Sequence, residues 1–355
     1  MAFRVLSIDG GGMRGIYSAS YLASVERAFC ASRGAQSLDI GKAFQLIVGT
    51  STGAIIGCGL AKGVSLDRIV TLYKENGARI FAQKMPAGLS MDLLSQLRRR
   101  PSLLRQGTEA LREALEGVFE QMTMKQLWDE RGIALAIPAV NMATYRAWVF
   151  KTPHDAQTNH RDDQFSLVDV CLATSAAPLY RSLAGIPNPH GGGHEVFADG
   201  GLWANNPILV ALVEALRILE HRDEKIEIFA LGTCGRPEGE IIPLEALDRG
   251  LQDWKFGGGA AGVSISAQEF AFDMIAKLLR PHLKKDVQII RFPSDKIPGT
   301  LVQYLDLDET RPEALSALIR HAQRDSDFTN SGIQQGTAEG QAIKDLFNSM
   351  TPRSA

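Results

Sequence analysis

Little in this chain points to an oxidised, metal-bound or membrane-embedded protein. Its 355 residues hold four cysteines, Cys30, Cys58, Cys171 and Cys234, with no C-x-x-C pair among them. That spacing argues against a zinc site and against a disulfide framework, and a reducing compartment fits it best. The most apolar stretches, Gly53 to Ala61 and Ile133 to Val140, fall well short of the roughly 18 residues that read as a membrane span. Phe3 to Ile8 runs straight into glycines and is too short for the apolar core of a signal peptide, so a cytoplasmic location is expected. Charge of one sign is lacking as well: 38 lysines and arginines face 40 acidic residues, and a net charge of -2 offers no bulk field for polyanions. No nucleic-acid polymer is therefore expected as a partner. There is no internal repeat, no low-complexity segment and neither an H-E-x-x-H motif nor EF-hand spacing, so no cofactor or metal is implied.

What is present reads as a soluble α/β chain. Hydrophobic residues make up 45% and charged residues 22%, enough to bury a sizeable core. Phe3 to Ile8 has strand character, ends in glycines and precedes helical spacing from Ile16 to Phe29. Phe44 to Val48, Gly49 to Gly53 and Ala54 to Ala61 repeat the strand, turn, helix order, which implies a parallel sheet with right-handed crossovers. Residues 65–131 read as a helical, strand-poor insertion. Strands follow at Ile133 to Val140, Tyr145 to Phe150, Glu195 to Ala198, Lys225 to Leu231 and Val287 to Phe292. Helices fit Phe165 to Ala173, Ile208 to Leu219, Ser266 to Leu279 and the C-terminus.

Three glycine-rich segments carry the chemistry. Gly49-Thr50-Ser51-Thr52-Gly53 matches G-x-S-x-G, a pattern that chance supplies roughly 0.2 times in a chain of this composition. Between a strand and a helix it places Ser51 on a strained elbow with its hydroxyl exposed, flanked by Gly49 and Gly53 where backbones crowd. A serine N-cap on an ordinary βα turn accounts for the same letters. Asp9-Gly10-Gly11-Gly12-Met13-Arg14-Gly15 is far rarer by chance. Its successive amides can gather around an anion or an oxyanion, with Arg14 adding a positive charge. It also contains G-x-G-x-x-G at Gly10, Gly12 and Gly15, with Asp39 near the place of a ribose-binding acid, so a dinucleotide-binding Rossmann reading stays open. Asp199-Gly200-Gly201 sets a carboxylate at a strand end beside two glycines, or is simply turn chemistry.

Together these segments resemble the patatin-like phospholipase family, whose pattern is a D-G-G-G-x-R-G loop, a G-x-S-x-G elbow and a later D-G-G in that order. The resemblance covers about residues 1–235, including Ala173 to Pro178, Asn205-Asn206-Pro207 and Leu231-Gly232-Thr233. It implies a three-layer, α/β hydrolase-related patatin-like fold with a mostly parallel central sheet. It also implies a metal-independent Ser-Asp dyad of Ser51 and Asp199, an oxyanion environment of Gly10, Gly11, Gly12 and Arg14, and supporting glycines at 49, 53, 200 and 201. The implied division is one catalytic domain over residues 1–300, with the helical insertion at about 65–131, and a C-terminal helical extension, 301–355, packed on it. The implied substrate is membrane glycerophospholipid, reached from the inner face of the membrane. In length and layout the chain is similar to the short bacterial effectors of anti-phage signalling that a cyclic dinucleotide such as cyclic GMP-AMP switches on. An activator of that kind is thus expected, with a second copy of the chain left open as a partner.

Two features compete with the dyad. His282 and His321 follow Asp199 in the order that a Ser-Asp-His esterase requires, although neither lies just after an expected strand. His190 and His194 flank Gly191-Gly192-Gly193 beside Asp199 and read as a solvated loop or a substrate gate. Ser95 to Arg112 interleaves five arginines with leucines, a pattern that suits either a basic lid against anionic lipid or a solvated helix face.

Overall fold

The computed structural model describes residues 2–82, 84, 93–234, 242–250, 252–254, 257–293 and 297–353, with the side chains of 93–97 outside the description. The chain opens with β1 (Phe3–Ile8), α1 (Gly15–Arg33), β2 (Leu46–Gly49) and α2 (Thr52–Lys62). The expected insertion is α3 (Leu66–Ile80), α4 (Leu93–Phe119) and α5 (Met124–Arg131). Then come β3 (Ala134–Asn141), β4 (Arg146–Lys151), α6 (Leu167–Thr174), β5 (Ala184–Pro187), β6 (His194–Asp199), α7 (Gly201–Ala204) and α8 (Ile208–Ile218). The last elements are β7 (Ile226–Leu231), α9 (Gly258–Leu279), β8 (Val287–Phe292), α10 (Pro312–Gln335) and α11 (Ala338–Ser349).

The sheet runs β5-β6-β3-β2-β1-β7-β8, with β4 also on β3. Its centre, β3-β2-β1-β7-β8, is parallel, and β4, β5 and β6 add antiparallel pairs. Successive side chains of a strand point to opposite faces, and here both faces are covered, as parallel sheets require. Leu6, Ile8, Ile47, Leu135, Phe229 and Phe292 pack into one core with α1 to α6, α10 and α11. Phe3, Val5, Leu46, Val48, Ile228 and Val287 pack on the other side against α8 and the Ala276 end of α9. The result is three layers. Within the first core α10 lies along α1, with Leu315, Leu318 and Ala322 inward, and Phe347 of α11 stacks on Phe29 of α1 at 4.9 Å.

The short α7, β5 and the start of α9 depart from the sequence reading. β5 was not expected, since four residues with alternate Gly and Pro give no strand signal, and it forms because β6 offers an open edge. α9 starts at Gly258, eight residues before the expected start, its first turns built from the glycine run. Small residues there carry weak helix propensity, and the neighbouring α7 and α8 impose the helix.

Pairing places the site. β2 lies on the first residues of β3, Leu46 to Val48 opposite Ala134 to Ala136. β6 takes up the last residues, Asp199 opposite Ala139. The end of β6 therefore meets the end of β2, and two segments 148 residues apart share one corner of the sheet.

Candidate active site

Ser51 turns the chain from β2 into α2. It adopts φ 54°, ψ −121°, a combination that costs a non-glycine residue of order 1–3 kcal/mol and persists only where the surroundings enforce it. The enforcement is visible. Thr174 Oγ1 accepts the Ser51 amide at 2.9 Å and donates to the Pro138 carbonyl at 2.6 Å. A Cβ on Gly53 would collide with the carbonyls of Ile8 and Asp9, and one on Gly49 with Gly53, so the elbow closes only with glycine at both ends. Although Ser51 occupies the N-cap position of α2, its side chain caps nothing. Its Oγ donates instead to Asp199 Oδ2 at 2.9 Å.

Asp199 ends β6, and its Oδ1 accepts the Gly201 amide at 2.6 Å, while the Gly200 amide goes to Thr174 O. Burial pushes the Asp199 carboxyl up to about 6, against the lowering effects of Gly201, Ser51 and the nearby Arg181 guanidinium. The elbow is not exposed as expected. Ser51 and Asp199 are only 8% and 6% accessible, because α3, α4 and α9 wall the corner into a pocket. Ile55, Leu72, Ile80, Leu111, Ala261 and Ile265 make most of that wall apolar.

The glycine loop divides by role. Gly11 and Gly12 line the pocket, and their amides have no hydrogen-bond partner among the described residues. The amide of Thr52, at the N-terminus of α2 beside Ser51, is free in the same way. Gly12 sits at φ 56°, and a Cβ there would meet the Leu307 carbonyl. Gly10 and Arg14 lie behind this face. The Gly10 amide is given to Asn205 O at 2.8 Å, and the Gly10 carbonyl accepts Thr233 Oγ1 at 2.6 Å. The Arg14 guanidinium bonds the carbonyls of Gly11 and Cys234 at 3.2 and 3.1 Å and does not line the pocket. Its contacts hold the loop from beneath, contrary to the expectation of a charge aimed at the oxyanion. Below it, Arg291 pairs with Asp9 at 2.7 Å and with Asp273 at 2.6 Å, and burial pushes Asp9 up to about 7.

No histidine lines the pocket. His282 is exposed in the turn that follows α9, His321 is buried on α10 against Tyr17, and His190 and His194 lie on the surface. Both Asp199 oxygens are already engaged by Ser51 and Gly201, so the structure assembles no Ser-His-Asp triad. Asp39, the ribose-binding acid of the Rossmann reading, is bound to Arg131 at 2.7 Å and takes no part in the pocket. In the basic stretch on α4, Leu111 faces the pocket, Arg112 pairs with Asp169, and Arg98, Arg99 and Arg105 are exposed; the Leu97 side chain lies outside the described residues.

Residues 6–212 match a family model described as patatin-like phospholipase. The chain belongs to that family. As a patatin-like phospholipase it is a hydrolase, and its sheet, elbow and D-G-G strand end are those of the family pattern. It is 34% identical to a cGAMP-activated phospholipase of Vibrio cholerae, over 89% of this chain and 88% of that one. It is 35% identical to a cGAMP-activated phospholipase of Escherichia coli over 97% and 92%, and 28% identical to a cUMP-AMP-activated phospholipase of Escherichia coli over 66% of each. Among the described residues no helix is long and apolar enough to cross a membrane.

Sequence reasoning assigned no role to Thr174, Thr233 and Asn205, which build the loop and elbow, although all three fall in segments of the family resemblance. It did not single out Arg181, for which no local signal exists.

Proposed function

We propose that this patatin-like phospholipase is a serine lipid acyl hydrolase that cleaves fatty-acyl esters of membrane glycerophospholipids from the inner face of the membrane, with Ser51 as nucleophile and Asp199 as base. The observation that carries the reading is the 2.9 Å Ser51–Asp199 hydrogen bond at an elbow beside unpartnered amides. As Ser51 Oγ bonds to the acyl carbon, Asp199 takes its proton and the carbonyl oxygen becomes an oxyanion facing the Gly11, Gly12 and Thr52 amides. Asp199 then hands the proton to the departing glycerol oxygen, leaving an acyl-enzyme. Water attacks that ester, Asp199 accepts its proton, and the fatty acid departs as the proton returns to Ser51. A carboxylate is a weaker base than imidazole, and the raised pKa of Asp199 narrows that gap.

The relatives activated by cGAMP and cUMP-AMP support a cyclic dinucleotide as activator. Anti-phage defence as the setting, and a change in homo-oligomer size as one route to the active state, are our extension of that reading. Such a ligand shifts the resting state only as far as it binds the active state more tightly. Lipid product analysis against a panel of cyclic di- and trinucleotides tests the reading. Free fatty acid released on addition of one cyclic dinucleotide, and none from Ser51→Ala, is the expected outcome. Unchanged rate and unchanged sedimentation across the panel would remove the gating. Full activity of Ser51→Ala would remove the dyad.

A further inference from the structure

One cation in the pocket is left over by the dyad. Arg181 follows α6 in a tight turn whose Tyr180 and Arg181 amides both return to Ala177 O, at 3.1 and 2.9 Å. Leu179 within that turn is held at φ 74°, and Arg100 of α4 clamps its carbonyl with two bonds of 3.0 and 2.6 Å. A non-glycine residue in the left-handed region that is fixed from a second element marks a turn whose shape is imposed. What the turn presents is the Arg181 side chain, 6% accessible and part of the pocket lining together with Ser51 and Asp199.

The guanidinium has no partner among the described residues. Its Nε is buried and unbonded, and the side chain makes no hydrogen bond or ion pair among the described residues. Asp199 is near enough to be felt electrostatically, yet Oδ1 is occupied by Gly201 and Oδ2 by Ser51. Arg181 is the single cation among the described residues of a lining that is otherwise apolar or neutral, apart from Asp199. An unpaired buried cation is costly, and a merely structural arginine would have found carbonyls or a carboxylate, as Arg14 and Arg291 have. Five N–H donors on a planar fork suit the two free oxygens of a phosphodiester.

We propose that Arg181 binds the phosphodiester of the lipid substrate and thereby sets the neighbouring acyl ester against Ser51. The proposal rests on the lipid acyl hydrolase reading and adds the group that selects a phospholipid over a neutral acylglycerol. Phosphate and acyl esters hang on one three-carbon glycerol, so an anchor beside the dyad fixes the position of the ester carbonyl.

The test compares dioctanoylphosphatidylglycerol with dioctanoylglycerol, which carries the same acyl chains and no phosphate. Both are presented in mixed micelles at pH 8 to the full chain, to Arg181→Gln and to Arg181→Lys, with the most activating cyclic dinucleotide present. Removing the guanidinium raises the Asp199 carboxyl above its value of about 6, and because both substrates meet the same dyad, any effect on its protonation falls equally on both and cancels in the comparison. Fluorophosphonate labelling of Ser51 monitors an intact elbow in each variant. Loss of charge-assisted hydrogen bonds predicts about a 10- to 100-fold fall in kcat/KM for Arg181→Gln on the phospholipid, with change within about threefold on the diacylglycerol. Arg181→Lys recovers part of the loss. Equal losses on both substrates, or no loss on either, overturn the phosphate role. A wild-type protein inactive on the phospholipid in every condition instead overturns the lipid acyl hydrolase reading itself.

Discussion

Replacing Asp199 by asparagine should abolish hydrolysis and, at alkaline pH, make the protein more stable. Asparagine keeps the shape: its carbonyl accepts the Gly201 amide, and its NH2 reaches the Ser51 oxygen, so no buried polar atom is orphaned. What it removes is a carboxylate that burial holds at about 6, against an ordinary value of 3.8. Because the folded value lies above the unfolded one, folding favours the protonated form. That contribution is full below about pH 4 and is lost as pH rises through about 6. A shift of roughly two units corresponds to about 3 kcal/mol, so ionised Asp199 weakens the fold by up to that amount at pH 8. Unfolding entropy of about 2.1 cal/mol/K per residue gives about 0.75 kcal/mol/K for a chain of this length, and the gain becomes about 4 °C in Tm. Thermal unfolding of wild type and Asp199→Asn at pH 4 and pH 8 reads it. The variant should match the wild type within about a degree at pH 4 and exceed it by several degrees at pH 8. A Tm difference that does not change with pH, or a variant less stable at pH 8, refutes the argument that burial of this carboxylate is an uncompensated cost.

The same carboxyl sets the pH profile: kcat/KM should climb about tenfold per pH unit below about 6 and level off above it, and a maximum near pH 5 would exclude Asp199 as the base. Thr174→Val leaves the Ser51 amide and the Pro138 carbonyl without partners, so urea unfolding should show a loss of about 2–4 kcal/mol, and Thr174→Ser should recover most of it. His282→Ala should keep hydrolysis within about threefold, since the side chain is exposed and outside the pocket; a loss of several hundredfold would revive the triad.

The parts of the site that were legible are those whose chemistry is local. A strand, two glycines and a serine specify an elbow because only glycine fits at Gly49 and Gly53, whatever lies elsewhere in the chain. A strand ending in Asp199-Gly200-Gly201 likewise announces a carboxylate with an amide at hand. The helices of residues 66–131 were legible from composition and spacing. β5 was not, because its existence depends on the edge that β6 provides. Nor was the meeting of β6 with the end of β3, which alone brings Asp199 within reach of Ser51. Arg181 carries no motif at all, and its role follows from what its neighbours fail to offer it.

Arg14 shows why a motif letter does not disclose its work. As a charge beside three glycines it invites the reading of an electrostatic partner for the oxyanion. In the fold Gly11 and Gly12 line the pocket, and the arginine lies behind them, bonded to the carbonyls of Gly11 and Cys234. Asp9, Arg291, Asp273 and Asn206 continue this scaffold from β1 through β8 to α9 and α8. The proposed base depends instead on its surroundings. Asp199 is an ordinary carboxylate in the sequence, and only the apolar walls from α3, α4 and α9 raise its pKa towards neutrality. Residues that read in sequence as a helical insertion thereby help to bury the carboxylate proposed as the base. Loosening those walls would hydrate Asp199, lower its pKa and weaken it in the proposed role before Ser51 or Asp199 had moved.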